Sequence, residues 1–352
     1  MIRMGVICPS EIAFRRFMPS LKKSSDFQFI GLGVSTITER FGENIPSADV
    51  VNRVLAEEHS KVQKFIDTYG GKIFNGYEAI VTSNEIDALY VPLPPALHFK
   101  WARLALDGGK HVLLEKPATT SSAATKELID LAAEKGLALH ENYMFVFHNQ
   151  FTAINDLVAN GEVGDVRLYR VAFGFPRRDA NDFRYNKLLG GGALIDIGGY
   201  TIKYATMLLG ETARIAYAQM NYIEEFDVDI YGSATLINDK GTTVQIAYGM
   251  DNNYKCELEI WGSKGFLTTG RVFTAPVGFV PEMTIRKGNV DEVRKLPADD
   301  TFNKSIIKFY DCINHDETRI ENYRAIVKQA ELMDEFLRLA GNKVKGSSQS
   351  IK

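Results

Sequence analysis

Several short stretches of this sequence hold side chains of the kinds that manage protons and anions. Asp196 and Tyr200 stand four residues apart behind the run Gly190-Gly191-Gly192, which puts a carboxylate and a phenol on one face of a helix starting near residue 193. The glycines allow that face to approach another backbone or a ligand, although they equally suit an eased helix start with a structural acid and a half-buried aromatic. Lys116 lies between Glu115 and Pro117. A Lys held extended by a following proline can bring an ammonium beside a reacting carbonyl, or simply mark the exit of a strand. Two polar turns complete the set: Cys8-Pro9-Ser10-Glu11-Ile12-Ala13, and Ser35-Thr36 with Arg40.

These residues need a frame, and the first 140 residues supply an alternation of short β-branched runs with helical patterns. That alternation predicts βαβ units around a parallel sheet. Strands are expected over residues 3–7, 27–34, 72–74, 88–91, 111–114 and 137–140. The helices between them are expected over 12–18, stopped by Pro19, and over 53–69, 96–106 and 121–135. Residues 36–52 are polar, contain Gly42 and Pro46, and predict a flap or a mobile insertion. In a doubly wound sheet, ligands gather beyond the carboxyl ends of the strands, and both polar turns and Lys116 fall there.

The first turn departs from the pattern that such a fold uses for a dinucleotide. Of the G-x-G-x-x-G/A positions only Ala13 matches; Cys8 and Ser10 replace the two glycines of the phosphate loop, and Pro9 removes an N–H donor. Ser10 can cap the helix or give its hydroxyl to a phosphate. On this segment alone an ordinary strand-turn-helix and a nucleotide site are equally served. After the second strand there is no Asp or Glu to bind a ribose 2′-hydroxyl, and Ser35, Thr36 and Arg40 suit NADP(H) better than NAD(H).

Beyond Glu141 the rhythm changes. A helix over 149–159 precedes long alternating segments at 166–175, 214–222, 228–237, 242–249 and 254–262, which read as a largely antiparallel sheet. The expected division is a Rossmann domain over 1–141, an α+β domain over 142–340 that ends in helix from residue 306, and a frayed tail over 341–352. Composition narrows the class further. With 41 Lys+Arg against 44 Asp+Glu, net charge −3, and 45% hydrophobic residues, a nucleic-acid binder and a disordered chain are disfavoured. Cys8, Cys256 and Cys312 have no metal-site or disulfide spacing, no leader-like segment opens the sequence, and no span reaches ~20 apolar residues. A soluble cytoplasmic protein without a bound metal is expected.

Taken together, Tyr90-Val91-Pro92-Leu93-Pro94-Pro95-Ala96-Leu97-His98, Gly109-Lys110-His111-Val112-Leu113-Leu114-Glu115-Lys116-Pro117, Glu141-Asn142-Tyr143-Met144-Phe145 and Gly192-Ala193-Leu194-Ile195-Asp196-Ile197-Gly198-Gly199-Tyr200 closely resemble the Gfo/Idh/MocA oxidoreductase family, in its order and spacing. The resemblance spans about residues 1–270. It implies a Rossmann domain followed by an open-faced sheet domain, and hydride exchange between a nicotinamide cofactor and a sugar-like carbonyl or carbinol. It also implies that Cys8, Ser10, Glu11, Ile12, Ser35, Thr36, Arg40, Pro92, Leu93, Pro94, His98, Glu115 and Lys116 border that cofactor. Tyr200, where inositol dehydrogenases have His, is similar to glucose–fructose oxidoreductases, dihydrodiol dehydrogenases and nucleotide-sugar ketoreductases alike, and the stretch from Phe173 to Gly190 is most similar to the ketoreductases. Free-sugar or dihydrodiol dehydrogenases are the next reading, and a non-catalytic dinucleotide sensor is the rival from another class.

Reduction of a ketone leaves charge on oxygen that needs a proton and positive potential. Tyr200 is the expected proton donor, with Lys116 the cation that lowers its phenol from the usual value near 10. Asp196 is expected to orient Lys116 or a substrate hydroxyl. Tyr143, His148 and Arg184 are further candidates for the substrate side. A homo-oligomer, dimer or tetramer, is expected through the broad sheet of the second domain.

Overall fold

The computed structural model describes residues 1–341 and 344–345; the remainder of the expected tail lies outside the described residues. The chain forms two compact units. The first comprises residues 1–119, 123–142 and 302–327, and the second residues 120–122, 143–301 and 328 onward.

In the first unit six parallel strands, β1 (Ile2–Val6), β2 (Phe27–Val34), β3 (Lys72–Asn75), β4 (Ala88–Val91), β5 (His111–Leu114) and β6 (Leu139–Glu141), run in the order β3-β2-β1-β4-β5-β6. This is the Rossmann order, with its reversal between β1 and β4. β4 is buried along its whole length, as a strand covered on both faces should be. Gly31 is required in β2, since a Cβ there would stand 2.5 Å from the Lys72 carbonyl of β3.

Three local expectations are corrected. Pro19 does not stop the first helix. A π-helical turn, Ala13–Phe17, leads into Met18–Leu21, and Pro19 sits in that segment's first turn, where a missing N–H is tolerated. Residues 36–52 are not a flap. Thr36 and Glu39 form a reciprocal capping box on helix Ile37–Phe41, and the long helix Ala48–Tyr69 starts before the expected residue 53. Finally, residues 302–327, assigned from sequence to the second domain, pack with the first. Phe309 stacks on Phe27 with ring centroids 5.9 Å apart, the Tyr323 hydroxyl donates to the Leu137 carbonyl, and Tyr323 and Ile326 join the core around Val112 and Leu139.

The second unit is α+β. Its strands β7 (Val166–Gly174), β8 (Arg214–Tyr222), β9 (Asp229–Ile237), β10 (Thr243–Gly249), β11 (Lys255–Gly262), β12 (Phe266–Gly270), β13 (Glu282–Lys287) and β14 (Val290–Lys295) follow the order β14-β13-β12-β11-β7-β10-β9-β8. Val344–Lys345 adds a short edge beside β8. Pairing among the eight is antiparallel except between β7 and β10. Alternate residues such as Cys256, Leu258 and Ile260 of β11 face a core shared with helix Gly199–Leu209, while Tyr217, Tyr231 and Trp261 remain exposed.

Candidate active site

At the carboxyl end of β1 the Ser10 hydroxyl accepts from Ala13 N at 3.2 Å, so it acts as the helix cap. Glu11 is exposed and Ile12 half-buried beside it. Cys8 is buried, its thiol donates to the Pro92 carbonyl at 3.4 Å, and burial pushes that thiol up to about 12. It therefore ties the turn to the segment after β4 and remains a thiol.

Beyond β2, the Ser35 hydroxyl donates to the buried Glu58 carboxylate at 3.2 Å, and the Arg40 guanidinium pairs with the same carboxylate at 2.7 Å while its outer edge stays exposed. Thr36 spends its hydroxyl on Glu39 N as part of the capping box. Sequence reasoning missed Glu58, since nothing in the pair Glu57-Glu58, in the middle of a 22-residue helix, marks one acid as the buried one.

Pro92, Leu93 and Pro94 follow β4, and His98 lies fully buried beneath them in helix Pro95–Asp107. His98 Nε2 is 2.7 Å from the Leu93 carbonyl and Nδ1 2.8 Å from that of Pro117, so the ring ties the loops after β4 and β5 together. Burial pushes its imidazole down to about 4, against the pull of these carbonyls. Glu115, at the end of β5, accepts from the Tyr90 hydroxyl at 2.6 Å and from Asn142 Nδ2 at 2.7 Å. Burial pushes its carboxyl up, opposed by those two donors and by Lys116. Ala118 N donates to Glu141 at 2.8 Å, so Lys116 lies in a segment fastened on both sides.

In the second unit Tyr200 is half-buried in a cage of rings. Its centroid is 5.3 Å from Tyr143, 5.6 Å from Phe145, 5.5 Å from Phe173 and 5.8 Å from Phe273. The glycines around it answer to close approaches. A Cβ on Gly199 would stand 2.2 Å from the Tyr143 hydroxyl, and one on Gly191 2.4 Å from the Arg184 carbonyl. The π-helical turn Leu194–Gly198, which carries Asp196, is fixed at its start by Asp229, a buried acid that sequence reasoning missed and that accepts from Leu194 N at 2.7 Å. Arg184 donates to Asp196 at 2.6 Å and to Asp182 at 3.0 Å. Arg184 thus reaches the neighbourhood of Asp196 as the latter's partner rather than as a free cation. His148 is buried and accepts from Gln150 N at 3.1 Å as a helix cap, and Tyr143 is a buried wall of the cage. Among the described residues no group of three or more His, Cys, Asp or Glu is placed to hold a metal.

The β2 end fits a phosphorylated ribose: it presents the exposed edge of Arg40, the Glu58 carboxylate is buried and covered by Ser35 and Arg40, and the Glu39 carboxylate is turned to the Thr36, Tyr77 and Glu78 amides. A hydrogen bond to a charged group contributes about 1.5–3 kcal/mol. Arg40→Ala is accordingly expected to raise the KM for NADPH roughly tenfold or more and to leave the KM for NADH nearly unchanged. Equal changes in both would remove Arg40 from phosphate recognition.

The comparisons agree with this geometry. Residues 26–143 match the oxidoreductase family with an NAD-binding Rossmann fold, and residues 151–268 match the GFO/IDH/MocA C-terminal domain. A dTDP-3,4-didehydro-2,6-dideoxy-alpha-D-glucose 3-reductase of Streptomyces violaceoruber is 37% identical over 98% of this chain and 96% of its own length. The chain belongs to the Gfo/Idh/MocA oxidoreductase family. Among solved structures, a 3-ketoreductase from Actinomadura kijaniata in complex with NADP and TDP-benzene superposes with a TM-score of 0.86 at 33% identity, covering 96% of this chain and 97% of that one. An aldose-aldose oxidoreductase from Caulobacter crescentus, at 21% identity and a TM-score of 0.79, shares the fold. The parallel Rossmann sheet and the largely antiparallel second sheet expected for a Gfo/Idh/MocA protein are both observed.

Proposed function

We propose that this protein is an NADPH-dependent ketoreductase acting on the 3-keto group of a dTDP-linked deoxysugar. The observation that carries the reading is the likeness to 3-reductases of such sugars across nearly the whole of both chains, together with Lys116 and Tyr200 in the motifs expected of the family. When bound, the reduced nicotinamide supplies the hydrogen and the electron pair that add to the carbonyl carbon. The chain's own residues then manage the charge on oxygen. Tyr200 donates the proton that converts that oxygen to a hydroxyl, and Lys116 supplies the positive potential that eases the transfer. Asp196, held by Arg184, bears on the orientation of the sugar. Self-association as a dimer or tetramer is assigned to the outward face of the second unit's sheet, where Tyr217, Tyr231 and Trp261 are exposed. No helix among the described residues is long and apolar enough to cross a membrane, and the chemistry suits a cytoplasmic enzyme.

The test is NADPH consumption, followed by near-ultraviolet absorbance, with an enzymatically prepared dTDP-3-keto-deoxysugar. The parent protein is expected to turn over. Lys116→Ala is expected to lose about two orders of magnitude in kcat or more while still binding NADPH by fluorescence titration. Tight NADPH binding without turnover of any keto-sugar would instead make the protein a dinucleotide sensor.

A further inference from the structure

The chain leaves the first unit after Asn142 and returns to it at Phe302, and the returning segment does more than cover a core. It supplies two side chains to a hydrogen-bonded path that runs through the interior of that unit and ends beside Lys116. Glu115 accepts from Tyr90 and from Asn142 Nδ2, at 2.6 and 2.7 Å. Having turned its nitrogen to Glu115, the Asn142 amide leaves its oxygen for the Ser305 hydroxyl, which donates to it at 2.7 Å. Ser305 Oγ in turn meets His140 Nε2 at 3.1 Å, and His140 Nδ1 meets Asn322 Oδ1 at 3.0 Å. Asn322 Nδ2 closes the path on the Leu139 carbonyl at 2.7 Å. Asn142, Ser305 and His140 are all but fully buried, so the orientation of each is coupled to that of its neighbours in the path.

We infer that Asn142, Ser305 and His140 are positioning residues for the reaction, fixing the Glu115 side chain and through it the place of Lys116. The inference rests on the proposed role of Lys116. Its physical basis is that a catalytic group is useful only where it meets the reacting atom, and a misplacement of about 1 Å can cost on the order of a hundredfold in rate. Glu115 is the residue next to Lys116, and its carboxylate is oriented by two donors, one of which, Asn142, is itself oriented from Ser305. The position of Lys116 is thereby tied to a hydroxyl almost two hundred residues later in the chain.

Ser305→Ala cuts the path at its centre with little change of shape. Ser305→Thr keeps the hydroxyl, and Asn322→Ala opens the path at its half-exposed end should the buried changes impair folding. The readouts are kcat, the KM for NADPH, the primary kinetic isotope effect with NADPH deuterated at the transferred position, and the thermal midpoint. Ser305→Ala is expected to lower kcat about tenfold, to keep the KM for NADPH within about twofold and to raise the isotope effect, because the chemical step becomes slower. Ser305→Thr restores most of the rate, and Asn322→Ala shows a smaller loss of the same kind. A thermal midpoint lowered with kcat unchanged, or an equal loss of kcat and of NADPH affinity, overturns the inference. Full turnover by Lys116→Ala would overturn the proposed function instead, so the two failures are distinct.

Discussion

Tyr200→Phe is expected to lower kcat by about two to four orders of magnitude, the range that general acid catalysis supplies, while the Kd for NADPH stays within about twofold. The substitution removes one oxygen and one proton and leaves the ring. The cage of Tyr143, Phe145, Phe173 and Phe273 that holds the ring contacts it through aromatic faces and edges, so the variant keeps its place and its fold. The place proposed for the cofactor is at the strand ends of the first unit, so its affinity is not expected to depend on the phenol. Steady-state kinetics with the dTDP-keto-sugar, paired with a fluorescence titration, separates the two quantities. Turnover within tenfold of the parent would show that the proton comes from elsewhere.

Gly192→Ala carries the largest expected effect on stability. Gly192 has φ +125°, a conformation that side-chain-bearing residues rarely adopt, and a Cβ there would lie 2.4 Å from Asp229 Oδ1. The acid cannot readily give way. It is buried, burial pushes its carboxyl up to about 7, and it holds the Leu194 amide from which the turn toward Tyr200 begins. Backbone strain and overpacking each cost about 1–3 kcal/mol, so a loss of roughly 2–6 kcal/mol in urea unfolding is expected, with a fall in kcat as the helix start shifts. Gly270→Ala is the control, since its φ is ordinary and no atom lies within 4 Å of a Cβ there. A Gly192→Ala midpoint equal to that of the parent would mean that the turn accommodates a methyl.

Much of the frame was legible because strand periodicity and turn residues are local signals. The parallel strands, their carboxyl ends and the Gly190–Tyr200 segment all follow from such signals. What escaped was decided by tertiary contacts. The helical pattern from residue 306 says that an apolar stripe must be buried, and does not say which core buries it, so the return of residues 302–327 to the first unit was invisible. The hairpin of β13 and β14 was missed because β14 is exposed or half-exposed throughout and shows no buried alternation. Asp229 and Glu58 were missed for a shared reason. Each stands among other acids, and its importance lies in the amide, hydroxyl or guanidinium that the fold brings to it. Arg184 was read as a residue for the substrate, and its pairing with Asp182 and Asp196 depends on a loop conformation that spacing does not encode. Pro19 was overread, since a proline stops a helix only where an N–H was needed.

Helix Asp316–Ala340 gives its first half to one unit and its second half to the other. That has a consequence for anyone who would trade parts between relatives. A chimera joined once, at residue 142, would inherit its sheet from one parent and Ser305, Asn322, Tyr323 and Ile326 from the other, mixing two lineages inside one hydrophobic core and one polar path. A faithful graft needs a second junction within this helix, near residue 327, so that cofactor preference and the segments that sustain it are inherited together.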